Sequence, residues 1–381
     1  MQVAQKRERR ILFARKAGRI MLTALAVLLG LVIILAGILL AISPGKPKPI
    51  VDAGGQPVPG SISEKIFVNI NGAQQGMFIQ SRDPANPVLL FLHGGLPEYF
   101  LTQRYPTGLE NLFTVCWWEQ RGSGLSDDAN QSAQALTLDQ AVADTLAVTD
   151  YLRSRFHKDK IYLMGHSGGT FIGIQAAARA PQLYYAYVGV AQLSYQLKSE
   201  KLAYDYMLER FRESGNTDMV RKLEDAPVTM EGGTPRAYLE LRDQAMYSLG
   251  IGTTHDMHSI IRDIFLPSLG STEYTLGEKL NLWRAKARAG VSWLWPDMLH
   301  TDMSKELRQV GLPVYFIDGI YDYTVSFTAA KAYFQQLQAP VKGFYTFEHS
   351  AESPIFEEPE KVREIMLQDV LHGTNNLADG K

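Results

Sequence analysis

The sequence predicts an α/β fold: a mostly parallel central sheet flanked by helices, interrupted by a helical insertion and preceded by a transmembrane helix. Three observations lead there. Between residues 61 and 194, short apolar runs alternate with amphipathic helical stretches, the pattern of right-handed βαβ units. From Tyr195 to about His300 no strand pattern is found and helical stretches dominate, after which a strand pattern resumes at Pro313–Ile317. Within the first block, Ile161–Arg179 sets an apolar strand against a Gly-rich turn and then a helix stopped by Ala180-Pro181.

Composition bounds the function. The chain has 381 residues, 46% apolar and 20% charged, with a net charge of −2, so it can bury a large core and is neither disordered nor basic overall. No nucleic-acid partner is expected. The single cysteine, Cys116, lies in the apolar run Phe113–Trp118 and reads as a small buried hydrophobe. No C-x-x-C, H-E-x-x-H, P-loop or G-x-G-x-x-G pattern occurs, so neither a metal nor a nucleotide cofactor is expected. Oligomeric state is not legible.

The first segment, 1–19, is basic: Lys6, Arg7, Arg9, Arg10, Arg15, Lys16 and Arg19 stand against Glu8 alone. Ile20–Ile42 then runs without a charge, long enough to cross the hydrocarbon core as a helix. Ala41-Ile42-Ser43-Pro44 is a poor cleavage site, so the run reads as an uncleaved signal anchor. The preceding positive cluster puts the N-terminus in the cytoplasm and the rest of the chain outside it, in a single-pass protein of the cell membrane. Residues 43–60, rich in Pro and Gly, read as an extended tether.

The core begins near Ser61. Ile66–Ile70 and Gly76–Gln80 read as strands joined at Asn71-Gly72, and Val88–Leu92 and Phe113–Trp118 as buried central strands. Leu138–Phe156 is a helix, with Thr137 and Gln140 at capping-box spacing. Ala186–Val190 is the next strand. The insertion, 195–300, carries helical stretches at Gln196–Arg212, Asp218–Leu223, Arg236–Leu249, His255–Phe265 and Thr275–Ala289, and reads as a cap over the sheet. The second part of the core, 301–373, has strands at Pro313–Ile317 and Gly343–Phe347 and helices at Phe327–Leu337 and Glu360–Leu371, before a frayed tail, 374–381.

Gly165-His166-Ser167-Gly168-Gly169 between strand and helix is G-x-S-x-G in the context of a nucleophile elbow. A tight turn lifts the Ser167 hydroxyl out of the fold, with the Gly168 N–H facing the same space. A serine hydroxyl needs a base, and the base needs a carboxylate to hold its tautomer. His349, directly after the strand Gly343–Phe347, is the candidate base. Asp322, in the loop after Pro313–Ile317, is favoured as the acid over Asp318 at the strand end. An oxyanion hole needs two backbone N–H donors. Gly168 supplies one; the other comes from the loop His93-Gly94-Gly95, through Gly95 or Leu96. His93 and His166 read as architectural residues bonding loop backbone.

Leu92-His93-Gly94-Gly95, the Trp118–Ser126 stretch, the Gly165–Gly169 elbow, Gly319–Asp322 and His349 together resemble the α/β-hydrolase superfamily, and more narrowly the proline iminopeptidase (serine peptidase S33) group. The resemblance covers roughly Ser61 to Leu371. It implies an α/β-hydrolase fold with a helical cap, Ser167 as nucleophile, Asp322 as acid, His349 as base and Gly95 in the oxyanion loop. The sequence departs from that pattern in three places: Leu96-Pro97 follows the two glycines, Gly168 stands where the peptidases usually carry Trp, and Glu119 opens the Gln120-Arg121-Gly122 loop. Strict iminopeptidases hold the substrate amine with cap carboxylates. Glu200, Glu209 and Glu213 on the first cap helix are not alignable to these and read as a solvated face.

The expected function is a membrane-anchored serine hydrolase that cleaves an ester or amide bond of a small molecule or short peptide through an acyl-enzyme. A proline iminopeptidase-like aminopeptidase leads, an acyl esterase is the alternative within hydrolases, and a catalytically silent tethered binding protein is the alternative outside them.

Overall fold

The computed structural model describes residues 2–128 and 136–380. Its strands are β1 (Ile62–Ile70), β2 (Ala73–Ser81), β3 (Val88–Leu92), β4 (Thr114–Trp118), β5 (Ile161–His166), β6 (Tyr184–Val190), β7 (Val314–Gly319) and β8 (Lys342–Phe347). They form one eight-stranded sheet in the order β1-β2-β4-β3-β5-β6-β7-β8. β1 and β2 are an antiparallel hairpin and β2 runs antiparallel to β4, whereas every later pairing is parallel. The hairpin turns on Asn71 and Gly72, at φ 47° and 77°, the left-handed pair that matches the twist of the flanking strands.

The central strands read as unbroken apolar runs because both faces are covered. In β3, Val88, Leu90 and Leu92 pack into one core with Val142, Leu152 and Phe171, while Leu89 and Phe91 pack into the opposite core with Val362 and Met366. Cys116 is fully buried in the first core. The first core is roofed by α2 (Leu138–Phe156) and α3 (Gly168–Arg179). Thr137 caps α2 by accepting the Gln140 N–H at 3.2 Å.

α1 (Gln2–Ala41) is one continuous helix ahead of the domain. Its Arg15–Ala41 portion is long and apolar enough to cross a bilayer, and none of it is buried. The side chains of Arg7, Arg9 and Arg10 lie outside the described residues. The tether does not stand free of the domain. Gly45 N donates to Thr272 O at 3.1 Å, and the buried Lys279 ammonium donates to Ser43 Oγ and Leu269 O, both at 2.7 Å.

The cap consists of α4 (Gln196–Glu213), α5 (Thr217–Glu224), α6 (Arg236–Ser248), α7 (Leu266–Gly270), α8 (Leu276–Ala289) and α9 (Trp295–His300), with a π-helical turn at Ile261–Phe265 before α7. It has its own core, including Met207, Phe211, Leu223, Tyr238 and Met246. The expected helix over His255–Phe265 is shorter. The Asp263 carboxylate accepts the N–H groups of His258 and Ser259, which starts the helical turn there, and the His255 ring stacks on Tyr321 at 3.8 Å.

The rest of the core adds α10 (Met303–Glu306), α11 (Phe327–Gln336), α12 (Pro354–Glu357) and α13 (Pro359–Ile365), which continues into a π-helical turn at Met366–Val370. The tail is not frayed but tied to the sheet edge. Asp379 N donates to Phe344 O at 2.8 Å, and Asp369 accepts the N–H groups of Asn376 and Leu377.

Candidate active site

Ser167 is the single residue between β5 and α3, at φ 50° and ψ −124°. A non-glycine residue stays in that region only when its surroundings over-determine it. Here Ser167 N donates to Val190 O at 3.0 Å, and Thr170 N donates back to Ser167 O at 2.9 Å. A Cβ added at Gly169 would collide with the carbonyls of Leu92 and His93, so β3 and α3 touch backbone to backbone. The N-terminus of α3, with its partial positive charge, therefore faces the loop that leaves β3.

That loop is His93-Gly94-Gly95. A Cβ at Gly94 would fall 2.8 Å from Ser167 Cβ and 3.4 Å from Gly168 N, so this backbone lies against the serine. His93 braces the loop: its ring is bonded through Nδ1 to Gly94 O at 2.8 Å, and Nε2 accepts Gln120 N–H at 3.1 Å. Burial lowers the His93 pKa to about 4, so the ring is neutral and fits both roles. Gly95 lies under the cap, where Lys286 Nζ bridges the Gly95 and Val291 carbonyls at 3.3 Å each.

Asp318 is the last residue but one of β7 and Asp322 follows in the next loop; both are buried. Asp322 Oδ1 accepts the N–H groups of Thr324 and Val325 at 2.8 and 3.1 Å. Both Asp318 oxygens and Asp322 Oδ2 are buried without a hydrogen-bond partner among the described residues. Burial and the neighbouring charge of Asp322 raise Asp318 well above the carboxylate range. Burial raises Asp322 to about 6.

The structure does not bring His349 to Ser167. His349 is exposed, and its imidazole makes no hydrogen bond or ion pair among the described residues. The side chain of Glu352, three residues further on, is buried and lines the same cavity as Ser167. The reason lies in how the loop after β8 is pinned. Glu358 accepts His349 N–H at 3.1 Å and Ser350 Oγ–H at 2.7 Å, Glu357 accepts Ala351 N–H at 2.9 Å, and Tyr321 N donates to Ser350 O at 3.1 Å. These bonds leave His349 outward and Glu352 buried on the cavity that Ser167 also lines. Burial drives the Glu352 pKa up to about 7, against the charge of His166.

His166 faces away from catalysis. Nδ1 lies 2.8 Å from Glu98 Oε1, and Nε2 lies 2.9 Å from the Glu352 carbonyl. Burial alone would lower its pKa, but Glu98 overcomes that and holds it up at about 9. Sequence reasoning missed Glu352 and Glu98. The only signal for Glu352 was its place in the loop after the last strand.

Ser167, Glu352, Glu98 and Gly95 open into a cavity of about 150 Å³ closed by Arg242, Asp243, Tyr247, Trp283 and Lys286 of the cap. Of the three glutamates expected on a solvated face of the first cap helix, Glu200 is instead buried and bound by Arg242 and by the Tyr238 hydroxyl at 2.7 Å, while Glu209 and Glu213 pair with Arg210 on the surface. Trp293 Nε1 donates to Gly122 O at 3.0 Å.

Residues 83–247 match the family described as serine aminopeptidase, S33. A probable aminopeptidase of Bacillus subtilis (strain 168), YbaC, is 30% identical over 312 residues, covering 80% of this chain and 95% of that protein. The crystal structure of proline iminopeptidase from Mycobacterium smegmatis is similar at a TM-score of 0.56 and 14% identity, covering 81% of this chain and 98% of that one. Epoxide hydrolase A from Mycobacterium thermoresistibile is similar at a TM-score of 0.55 and 16% identity, over 82% and 99%. These two structures share the fold.

Proposed function

The chain belongs to the serine aminopeptidase (S33) family of α/β-hydrolases, and on that premise we propose that it cleaves an amide or ester bond of a short peptide or amino-acyl compound with Ser167 as nucleophile. The observation that carries this reading is Ser167 itself, held at φ 50° against Gly94 on the floor of the cap cavity. In that position Oγ attacks a carbonyl carbon whose oxygen turns toward the N–H groups of Gly168 and of Gly95 or Leu96. These are fixed backbone dipoles that stabilise the developing charge. Water then resolves the acyl-enzyme.

An amine-bearing substrate fits the acids that face the cavity. Glu98 Oε2 is buried with no hydrogen-bond partner, and Asp243 lines the wall. Asp243 is already paired with Arg242 at 2.8 Å, so a substrate ammonium would answer the open Glu98 oxygen, which favours an aminopeptidase over an esterase. The relative named a probable aminopeptidase supports the same choice. Arg15–Ala41 serves as an uncleaved anchor with the basic N-terminus in the cytoplasm and the catalytic domain outside it.

The test is turnover of alanine and proline 4-nitroanilides, beside their N-acetylated forms and 4-nitrophenyl butyrate, by the detergent-solubilised full chain. Free-amine anilides are expected to turn over, with Ser167→Ala costing several orders of magnitude. Activity confined to the butyrate ester moves the reading to an acyl esterase. No turnover and no fluorophosphonate labelling of Ser167, in folded protein, moves it to a silent binding protein.

A further inference from the structure

Resting on α1 as a membrane anchor, we propose that one corner of the cap, residues 261–270 and α8, lies on the bilayer that holds α1, with Ile261, Leu266 and Leu280 set into the interface. Among the described residues after α1, these are the only large apolar side chains more than half exposed, at 68%, 53% and 61%. A single exposed leucine needs no explanation. Three at one corner mark a surface that meets another apolar phase.

The apolar helix ends at that corner. Lys279, next in sequence to Leu280, donates to Ile42 O at 3.3 Å and to Ser43 Oγ at 2.7 Å, and it also reaches Leu269 O beside Leu266. Pro44 pairs with Thr275 at the start of α8, and Gly45 N donates to Thr272 O. Leu39 and Ile42 are half-buried, while Leu40 and Ala41 between them are exposed. Leu39 and Ile42 are less than one helical turn apart, so the corner meets the span within about 5 Å of its end. An apolar face seated in an interface sinks on the order of 5–10 Å into the boundary between headgroups and acyl chains, which is the level this corner occupies. The occupant is therefore the bilayer. The anchor keeps it beside these side chains at all times, whereas a second copy or another protein would have to displace it.

The same segments wall the catalytic cavity from the inside. Ile260, Ile264 and Trp283 line it, one position or one turn away from the exposed Ile261 and Leu280. Trp283 Nε1 donates to Ser268 Oγ at 2.8 Å, and its ring meets Phe265 edge-on at 5.0 Å, which joins α7 and α8 into one plate. That plate has lipid on its outer side and the cavity of Ser167 on its inner side. A movement of the cap at the membrane surface is then a movement of the cavity wall.

The test attaches bimane to Ile261→Cys, Leu266→Cys or Leu280→Cys, one at a time, in the full chain reconstituted in phosphatidylcholine–phosphatidylglycerol vesicles with or without nitroxide-labelled phosphatidylcholine. Cys116 is buried, so the introduced thiol takes the label, and the three positions are exposed, so the label does not disturb packing. Ser154→Cys is the aqueous control: it is exposed near the end of α2, on the side where β5 begins and so away from the cap. Leu31→Cys, inside the apolar run, reports the anchor. The nitroxide lipid is expected to remove most of the emission at the three cap positions and at Leu31, and none at Ser154. Ile261→Glu with Leu280→Glu should cut the quenching at Leu266→Cys toward the Ser154 level. Cap labels as bright as that of Ser154, with Leu31 quenched, overturn the proposal; if those labels are also shielded from aqueous iodide, a second copy or another protein covers the corner instead. A Leu31 label that stays bright is a different failure, because α1 is then outside the bilayer and the proposal falls with the anchor.

Discussion

His166 Nδ1 lies 2.8 Å from Glu98 Oε1, inside the protein and next in sequence to the strained Ser167. Because His166 also bonds the Glu352 carbonyl, the pair ties three loops together: the one after β3, the elbow after β5 and the one after β8. It holds the loop that carries Glu352, and it places a positive charge beside a buried carboxyl.

This pair sets a pH window for stability. His166 is held up to about 9 from its ordinary 6.5, so its contribution is full below about pH 6.5 and fades as pH rises through 9. Glu98→Gln leaves the imidazolium without its partner and is expected to cost about 3–5 kcal/mol at pH 6. Urea unfolding at pH 6 and pH 9.5 checks it: the gap between wild type and variant should narrow at the higher pH.

The carboxyl cluster has the same sign for a different reason. Asp318, Asp322 and Glu352 all have raised pKa values, so between about pH 4 and 7 the folded chain keeps protons that the unfolded chain has released. Stability therefore falls as pH rises through that range. Asp318→Asn removes one titrating group while keeping a donor toward Asp322. It is expected to be near neutral at pH 4 and stabilising by about 1–3 kcal/mol at pH 8, with a flatter stability profile in denaturant melts.

At the other end of the domain, Lys279 bonds Ile42 O, Ser43 Oγ and Leu269 O from a buried position on the cap, so the end of the apolar helix is fastened to the cap. Lys279→Met leaves three acceptors unpaired, at about 1–3 kcal/mol of local stability. Amide exchange at Gly45, whose N–H bonds Thr272 O, should quicken, with the exchange of β3 and β5 unchanged.

Local pattern carried most of the architecture. The apolar runs became β3 to β8 because buried parallel strands need no alternation, Thr137 marked the start of α2, and the loss of strand pattern after Ser194 marked the cap. The elbow was legible because its small residues are demanded by a backbone contact that any such turn must make, seen at Gly169. Where tertiary bonds override local propensity, the pattern fell short, as at His255–Phe265, the docked tether and the tail beside β8.

By itself the sequence determined the sheet-and-helix order, the apolar N-terminal helix, the Ser167 turn and the loops whose residues could join it. Only the tertiary structure decided which residues of the last loop are buried. That His349 lies outward and Glu352 is buried depends on Glu357, Glu358 and Tyr321, which pin the loop through bonds to its backbone from α12, the turn after it and the β7 loop. A loop residue's direction is set by what holds its backbone, and those partners are distant from the motif that names the site.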